Sequence, residues 1–119
     1  MRALSCFENI YLHKESVDFR KGINGLSQLV ESDMGVSSME GSYLFVFCNR
    51  GRDKLRILYW DKTGFALWHK QLEEDAFKWP QGKVSKALEI SVQELEWLLE
   101  GVDITKIKTH REKSYKYVG

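Results

Sequence analysis

The stretch 49–72, NRGRDKLRILYWDKTGFALWHKQL, most constrains what this chain can fold into. It opens on a turn carrying Arg50, Arg52, Lys54 and Arg56, then runs into two apolar-aromatic segments separated by Asp-Lys-Thr-Gly. From Lys54 onward the residues alternate. Leu55, Ile57 and Tyr59 share one side, and Lys54, Arg56, Leu58 and Trp60 share the other, which is the period of a strand. Residues 61–64 predict a hairpin loop, with Gly64 at its positive-φ position. The preceding segment 42–48 is apolar on both sides and predicts a central, covered strand.

Helical signals flank this ribbon. Phe19, Ile23, Leu26 and Val30 recur at helical spacing after the capping residues Ser16 and Asp18, and Gly35 supplies a stop. Gly22 and Gly25 inside that pattern predict a helix packed closely on a flat surface, because each costs about 1 kcal/mol relative to Ala. Near the other end, Ser91 and Glu94 form a capping box, with Ile90 and Leu95 as its hydrophobic staple. Leu95, Leu98 and Leu99 make the buried stripe of that helix and Gly101 closes it. Ile10 to Leu12 reads as an edge or lead-in strand, and Phe77 to Pro80 as a short final one. The expected fold class is α+β: an antiparallel three- to four-stranded meander with an N-terminal helix packed on it and a short C-terminal capped helix. One domain over 1–104, followed by a basic tail over 105–119, fits the length of 119 residues.

Charge is unevenly distributed. The net charge is +1, yet 105–119 carries five cations against Glu112, a local +4, which leaves the body at −3. A basic tail on a mildly acidic body suits polyanion binding. Cys6 and Cys48 form no disulfide framework and have no metal-ligand spacing; Cys48, ending an apolar run, reads as a small buried hydrophobe. With no secretory signal pattern and no membrane-length apolar run, the chain is expected in the cytoplasm, with association to the nucleoid allowed.

A search for catalytic chemistry finds no pattern. Asp53, Asp61 and the Glu73-Glu74-Asp75 cluster lack a metal-binding spacing, and His13, His69 and His110 are scattered. Neither a Gly-rich phosphate loop nor a nucleophile elbow is present. No cofactor and no metal are expected. The basic positions remain. Arg20 and Lys21 in a first helical turn are either neutralised by Asp18 or form an anion site with the helix amides. Arg50, Arg52, Lys54 and Arg56 are either phosphate contacts, with Trp60 stacking on a base, or a charged hairpin that resists edge pairing. Lys106, Lys108, Arg111 and Lys113 of the tail would add a second, salt-sensitive contact.

Several blocks together carry a resemblance. They are Asp18-Phe19-Arg20-Lys21-Gly22-Ile23-Asn24-Gly25-Leu26, Leu44-Phe45-Val46-Phe47-Cys48-Asn49-Arg50 and Asp53-Lys54-Leu55-Arg56-Ile57-Leu58-Tyr59-Trp60-Asp61. Gly64-Phe65, Lys70-Gln71-Leu72-Glu73, Phe77-Lys78-Trp79-Pro80 and Leu98-Leu99-Glu100-Gly101-Val102-Asp103 complete the set. The chain resembles the TnpB-type accessory proteins, encoded by the second reading frame of bacterial insertion sequences of the sixty-six class. It departs from them at Gly51, where a further basic residue is usual, and at Ala66, where an aromatic is common.

The resemblance implies a small non-enzymatic protein that assists transposition, with the cut-and-join chemistry in a separate, larger transposase. The expected partners are DNA of the element ends and that transposase, and no membrane. An adaptor that touches only the transposase is the alternative, and a small metal-dependent nuclease a remote third. The sequence leaves the oligomeric state open.

Overall fold

The computed structural model describes residues 4–82, 85–107 and 116–118. Its centre is a mixed sheet in the order β4-β3-β2-β1-β5, to which a short sixth strand adds at the β5 edge. In chain order the strands are β1 (Asn9–His13), β2 (Tyr43–Cys48), β3 (Lys54–Asp61), β4 (Gly64–Gln71), β5 (Ala87–Ile90) and β6 (Lys116–Val118). The helices are α1 (Gly22–Leu29), which crosses from β1 to β2, and α2 (Val92–Leu99), which follows β5.

The fold is α+β as expected, but the sheet is no three- to four-stranded antiparallel meander. Only β2, β3 and β4 form one. β1 pairs parallel to β2, with Ile10 opposite Leu44 and Leu12 opposite Val46, and β5 then pairs antiparallel to β1. A parallel neighbour needs a crossover connection, and α1 is that connection. The segment 10–12 is therefore an inner strand, and its burial on both sides follows from that place. Phe77 to Pro80 forms no strand; Phe77 and Trp79 instead fold back as irregular chain into the core, where the Trp79 indole donates to His13 O at 2.9 Å.

Alternation across the sheet makes two cores rather than one. Tyr11, Phe45, Phe47 and Leu58 meet Leu26, Val30 and Met34 on the α1 side. Leu12, Val46, Leu55 and Ile57 meet Leu95, Leu98, Phe77 and Trp79 on the α2 side. Both sides of β2 are filled, which explains its unbroken apolar run. Cys48 is fully buried, and that burial pushes its thiol up to about 12.

Helix boundaries follow the local signals with one change. The α2 capping box forms in full: Glu94 N–H donates to Ser91 Oγ at 3.1 Å and Ser91 N–H to the Glu94 carboxylate at 2.8 Å. Gly35, at φ 70°, ends the other helical segment after a single π-turn, Val30–Met34. Gly22, however, serves conformation rather than close packing. At φ 71° it breaks the chain between a 3-10 turn, Phe19–Lys21, and α1, and a Cβ there would meet nothing within 4 Å. Gly25 faces the Lys21 side chain, not the sheet. In the β3–β4 hairpin the positive φ falls on Lys62, at 53°, instead of Gly64. Among the described residues no helix is long and apolar enough to cross a membrane.

Candidate nucleic-acid interface

Parallel neighbours leave a sheet at the same end. The chain leaving β1 and the chain leaving β2 therefore emerge side by side, as at the carboxyl ends of strands in open α/β sheets, where ligands commonly bind. Val17 N–H donates to Cys48 O at 2.9 Å and ties the two exits together. Ser16 to Arg20 then lie beside Asn49 and Arg50, and the first residues of β3 complete the rim. The result is a groove of about 800 Å³ lined by Arg20, Arg50, Lys54 and Arg56, with Phe19, Asn49 and His69 between them. That volume lies within the usual range for small-molecule sites.

Each cation is held differently. Arg20 is exposed and forks onto Asp18, its Nε 3.0 Å and its terminal nitrogen 2.7 Å from the same carboxylate oxygen. Those hydrogen bonds, with one from the Arg20 backbone amide, hold the Asp18 carboxyl down at about 2. Neutralisation by Asp18 is thus real, although it spends only part of the guanidinium. Arg50 sits exposed on a turn braced from within: Asn49 Nδ2 donates to Asp53 at 2.8 Å, and Lys54 N–H donates to Asn49 Oδ1 at 3.0 Å. Among the described residues no carboxylate lies within ion-pairing distance of Arg50, Lys54 or Arg56.

Arg56 is structural as well as cationic. It donates to Phe19 O at 3.0 Å and to His69 Nδ1 at 3.3 Å, and its guanidinium lies 4.5 Å from the centre of the Phe19 ring. These contacts pin the 3-10 turn, and with it Arg20, over the sheet. His69 Nδ1 must accept, so the ring is neutral there. Burial lowers the His69 pKa, and the charges of Arg56 and Lys54 lower it further. Arg56→Ala should cost about 2 kcal/mol, from one charged hydrogen bond to a carbonyl and one cation–π contact. Arg56→Lys should recover less than half, because an ammonium cannot make the fork. Urea unfolding of both variants measures this.

The remaining predicted positions are elsewhere. Lys21 lies exposed on the far side of the same 3-10 turn, against Gly25, and does not line the groove. Arg52, with a left-handed φ of 59°, turns to the opposite side of the sheet beside Phe77, Trp79 and Asp103. Trp60 stands at the other end of β3 and packs edge-on against Phe65, ring centres 5.0 Å apart. Lys106 sits in a 3-10 turn whose Ile104 is buried in the α2-side core, its ammonium 4.0 Å from Asp103. Lys108, Arg111 and Lys113 lie outside the described residues.

Sequence reasoning missed Asn49, Phe19 and His69. Only the register that sets Arg56 opposite His69 reveals the last of these. Among the described residues no group of three or more His, Cys, Asp or Glu side chains is placed to hold a metal ion.

The model of the IS66 Orf2-like proteins matches residues 8–109. Two proteins of Sinorhizobium fredii (strain NBRC 101917 / NGR234) are similar along most of their length. Uncharacterized protein y4jC is 39% identical over 99 residues, covering 83% of each chain. Uncharacterized protein y4hO is 30% identical over 94 residues, covering 79% of this chain and 80% of its own. No solved structure gives a significant match. The chain belongs to the IS66 Orf2-like family, the accessory proteins of these insertion sequences.

Proposed function

We propose that this accessory protein acts without catalysing a reaction itself and binds DNA of its element through the groove at the ends of β1 and β2. The convergence of Arg20, Arg50, Lys54 and Arg56 on one groove, where Asp18 is the one carboxylate among the described lining residues, supports the reading. A phosphate there would meet an exposed Arg50, a half-exposed Lys54 and the free part of Arg20, without first displacing a bound carboxylate from Arg50 or Lys54. Phosphate contacts of this kind position a protein on nucleic acid rather than read its sequence.

A salt-titrated binding assay on terminal-repeat duplex, random duplex and single strands tests the proposal. Three or four neutralised phosphates predict a log–log slope of about −3. No binding at low salt, with the transposase still captured, would move the function to an adaptor of the transposase. His69 adds a pH signature. Its free-state pKa is depressed by burial and by Arg56 and Lys54, and a bound phosphate offsets those charges and raises it. Binding then takes up a proton, so affinity should rise by about threefold as pH falls from about 7.5 to about 5.5. In His69→Gln that rise should vanish.

A further inference from the structure

A second cavity opens on the α2 side of the sheet, and we propose that it is a carboxylate site in which Arg52 receives a single carboxylate carried on an apolar stem. The cavity holds about 480 Å³, and the buried rings of Phe77 and Trp79 wall it beside Arg52. Arg52 Nη1 is shut off from solvent, and among the described residues it meets no hydrogen-bond acceptor. No carboxylate of the described residues lies within ion-pairing distance of the side chain either. Buried charges in folded proteins are paired, because an unpaired one loses hydration and gains nothing in return. Arg52 is half-exposed and lines the cavity, so an anion bound there can supply the counter-charge.

The backbone holds this cation in place. Arg52 N–H donates to Asn49 O at 3.1 Å, and Arg52 O accepts from Phe77 N–H at 2.7 Å. Those two bonds fix a left-handed φ of 59°, which glycine or asparagine would adopt with less strain. Conformation alone therefore does not call for arginine here. Strained backbone that its surroundings over-determine gathers at ligand sites, and this strain aims a guanidinium into a cavity. One turn thus sends Arg50 to the basic groove and Arg52 to the opposite side of the sheet.

The lining selects the anion. Lys78, the other cation there, has Asp75 at 3.7 Å. Asp103 lines the same cavity as Arg52 but is engaged by its own 3-10 turn, accepting from Thr105 N–H at 3.0 Å and from Thr105 Oγ at 2.6 Å. A nucleic-acid strand or a polyacidic segment would set its flanking charges beside Asp75 and Asp103, and like charges at that range repel. A single carboxylate avoids that repulsion and matches the planar fork of a guanidinium, while Phe77 and Trp79 receive the apolar stem. The end of a peptide chain and a small aliphatic acid share this chemistry.

The test needs no DNA, so its failure is separate from failure of the groove. The isotope-labelled full chain is titrated with isovalerate and with N-acetyl-dileucine, and NMR follows the arginine Nε–H and tryptophan indole signals. Both acids should shift Arg52 and Trp79 saturably, with roughly millimolar affinity, and leave Arg20 and Arg50 in place. Tighter binding of N-acetyl-dileucine assigns the site to a peptide end, and equal binding assigns it to a free acid. N-acetyl-dileucine amide, which lacks the carboxylate, should bind at least about tenfold more weakly. Arg52→Asn keeps the left-handed backbone, so it should hold the parent's Tm yet lose about tenfold or more in affinity for both acids. The inference is overturned if the amide matches the acid, or if inorganic phosphate shifts Arg52 as strongly as the acids do. It is overturned equally by shifts that fall on Arg20 and Arg50 instead, by no saturable shift at Arg52, or by unchanged binding in Arg52→Asn.

Discussion

Replacing Arg50 and Lys54 together by Glu should weaken DNA binding by about two orders of magnitude at moderate salt and flatten the log–log salt slope from about −3 to about −1. Each replacement removes one phosphate contact and adds one repulsive charge beside Arg20 and Arg56. The fold should not register the change. Arg50 is exposed, Lys54 half-exposed, and neither side chain has a carboxylate partner among the described residues, so stability should stay within about 0.5 kcal/mol of the parent. Arg52→Glu is the matched control. It makes the same change of formal charge as either single replacement, two residues from Arg50 on the opposite side of the sheet, and should alter affinity by less than about twofold. Equal losses from the two sites would mean that net charge, not the groove, drives binding. Unchanged affinity in the double variant would remove the groove from the function altogether.

What the sequence disclosed follows from which interactions are local. The α2 capping box closes within four residues, and the β3–β4 hairpin within a two-residue loop, so both were legible. The parallel pairing of β1 with β2 was not. It joins Ile10 to Leu44 across an intervening helix, and no local pattern in either strand reports it. β5 is too short to show a period, and polar chain precedes it. The site divides along the same line. Charge and spacing selected Arg20, Arg50, Lys54 and Arg56, and the one pairing the sequence concealed is what sets the turn before β3 beside the Arg20 turn. Arg52 was selected as one of the ribbon's cations, but in the turn before β3 its left-handed backbone sends its side chain to the other side of the sheet. Trp60 does share a side with Arg56. Four residues of strand, however, carry it roughly 13 Å away, beyond the reach of a single nucleotide held in the groove.

Asp33→Ala should cost about 2–3 kcal/mol, the largest loss expected from any single surface-proximal side chain, and lower Tm by roughly 10 °C. Asp33 sits in the π-turn after α1 and accepts from His13 Nε2 at 2.8 Å, while His13 Nδ1 lies 2.8 Å from Glu15 O. Each ring nitrogen of His13 thus has an oxygen at hydrogen-bonding distance, one on Glu15 and one on Asp33. His13 is 2% exposed and lies against Phe47, so removing Asp33 leaves a buried ring nitrogen without its hydrogen-bond partner. The cost falls below that of a fully enclosed pair because the Asp33 side chain is 15% exposed and water can enter. Lys86, 3.4 Å away but largely exposed, contributes little, and Lys86→Ala should stay within about 0.5 kcal/mol of the parent. The pH dependence has a definite sign. Burial alone would raise the Asp33 carboxyl, but the hydrogen bond and charge of His13, with Lys86, outweigh it and the net shift is downward. A depressed carboxyl stabilises the fold above its unfolded value of about 3.9 and loses that contribution as pH falls through the folded one. The gap between parent and variant should therefore be full at neutral pH and narrow steadily below about pH 4. The same clamp fixes where the chain leaves β1, the segment that carries Ser16 to Arg20 to the groove. A variant that stays folded should thus lose DNA affinity without any change of charge at the groove. Full stability and full affinity in Asp33→Ala would show that the parallel pairing and Val17 hold that exit unaided.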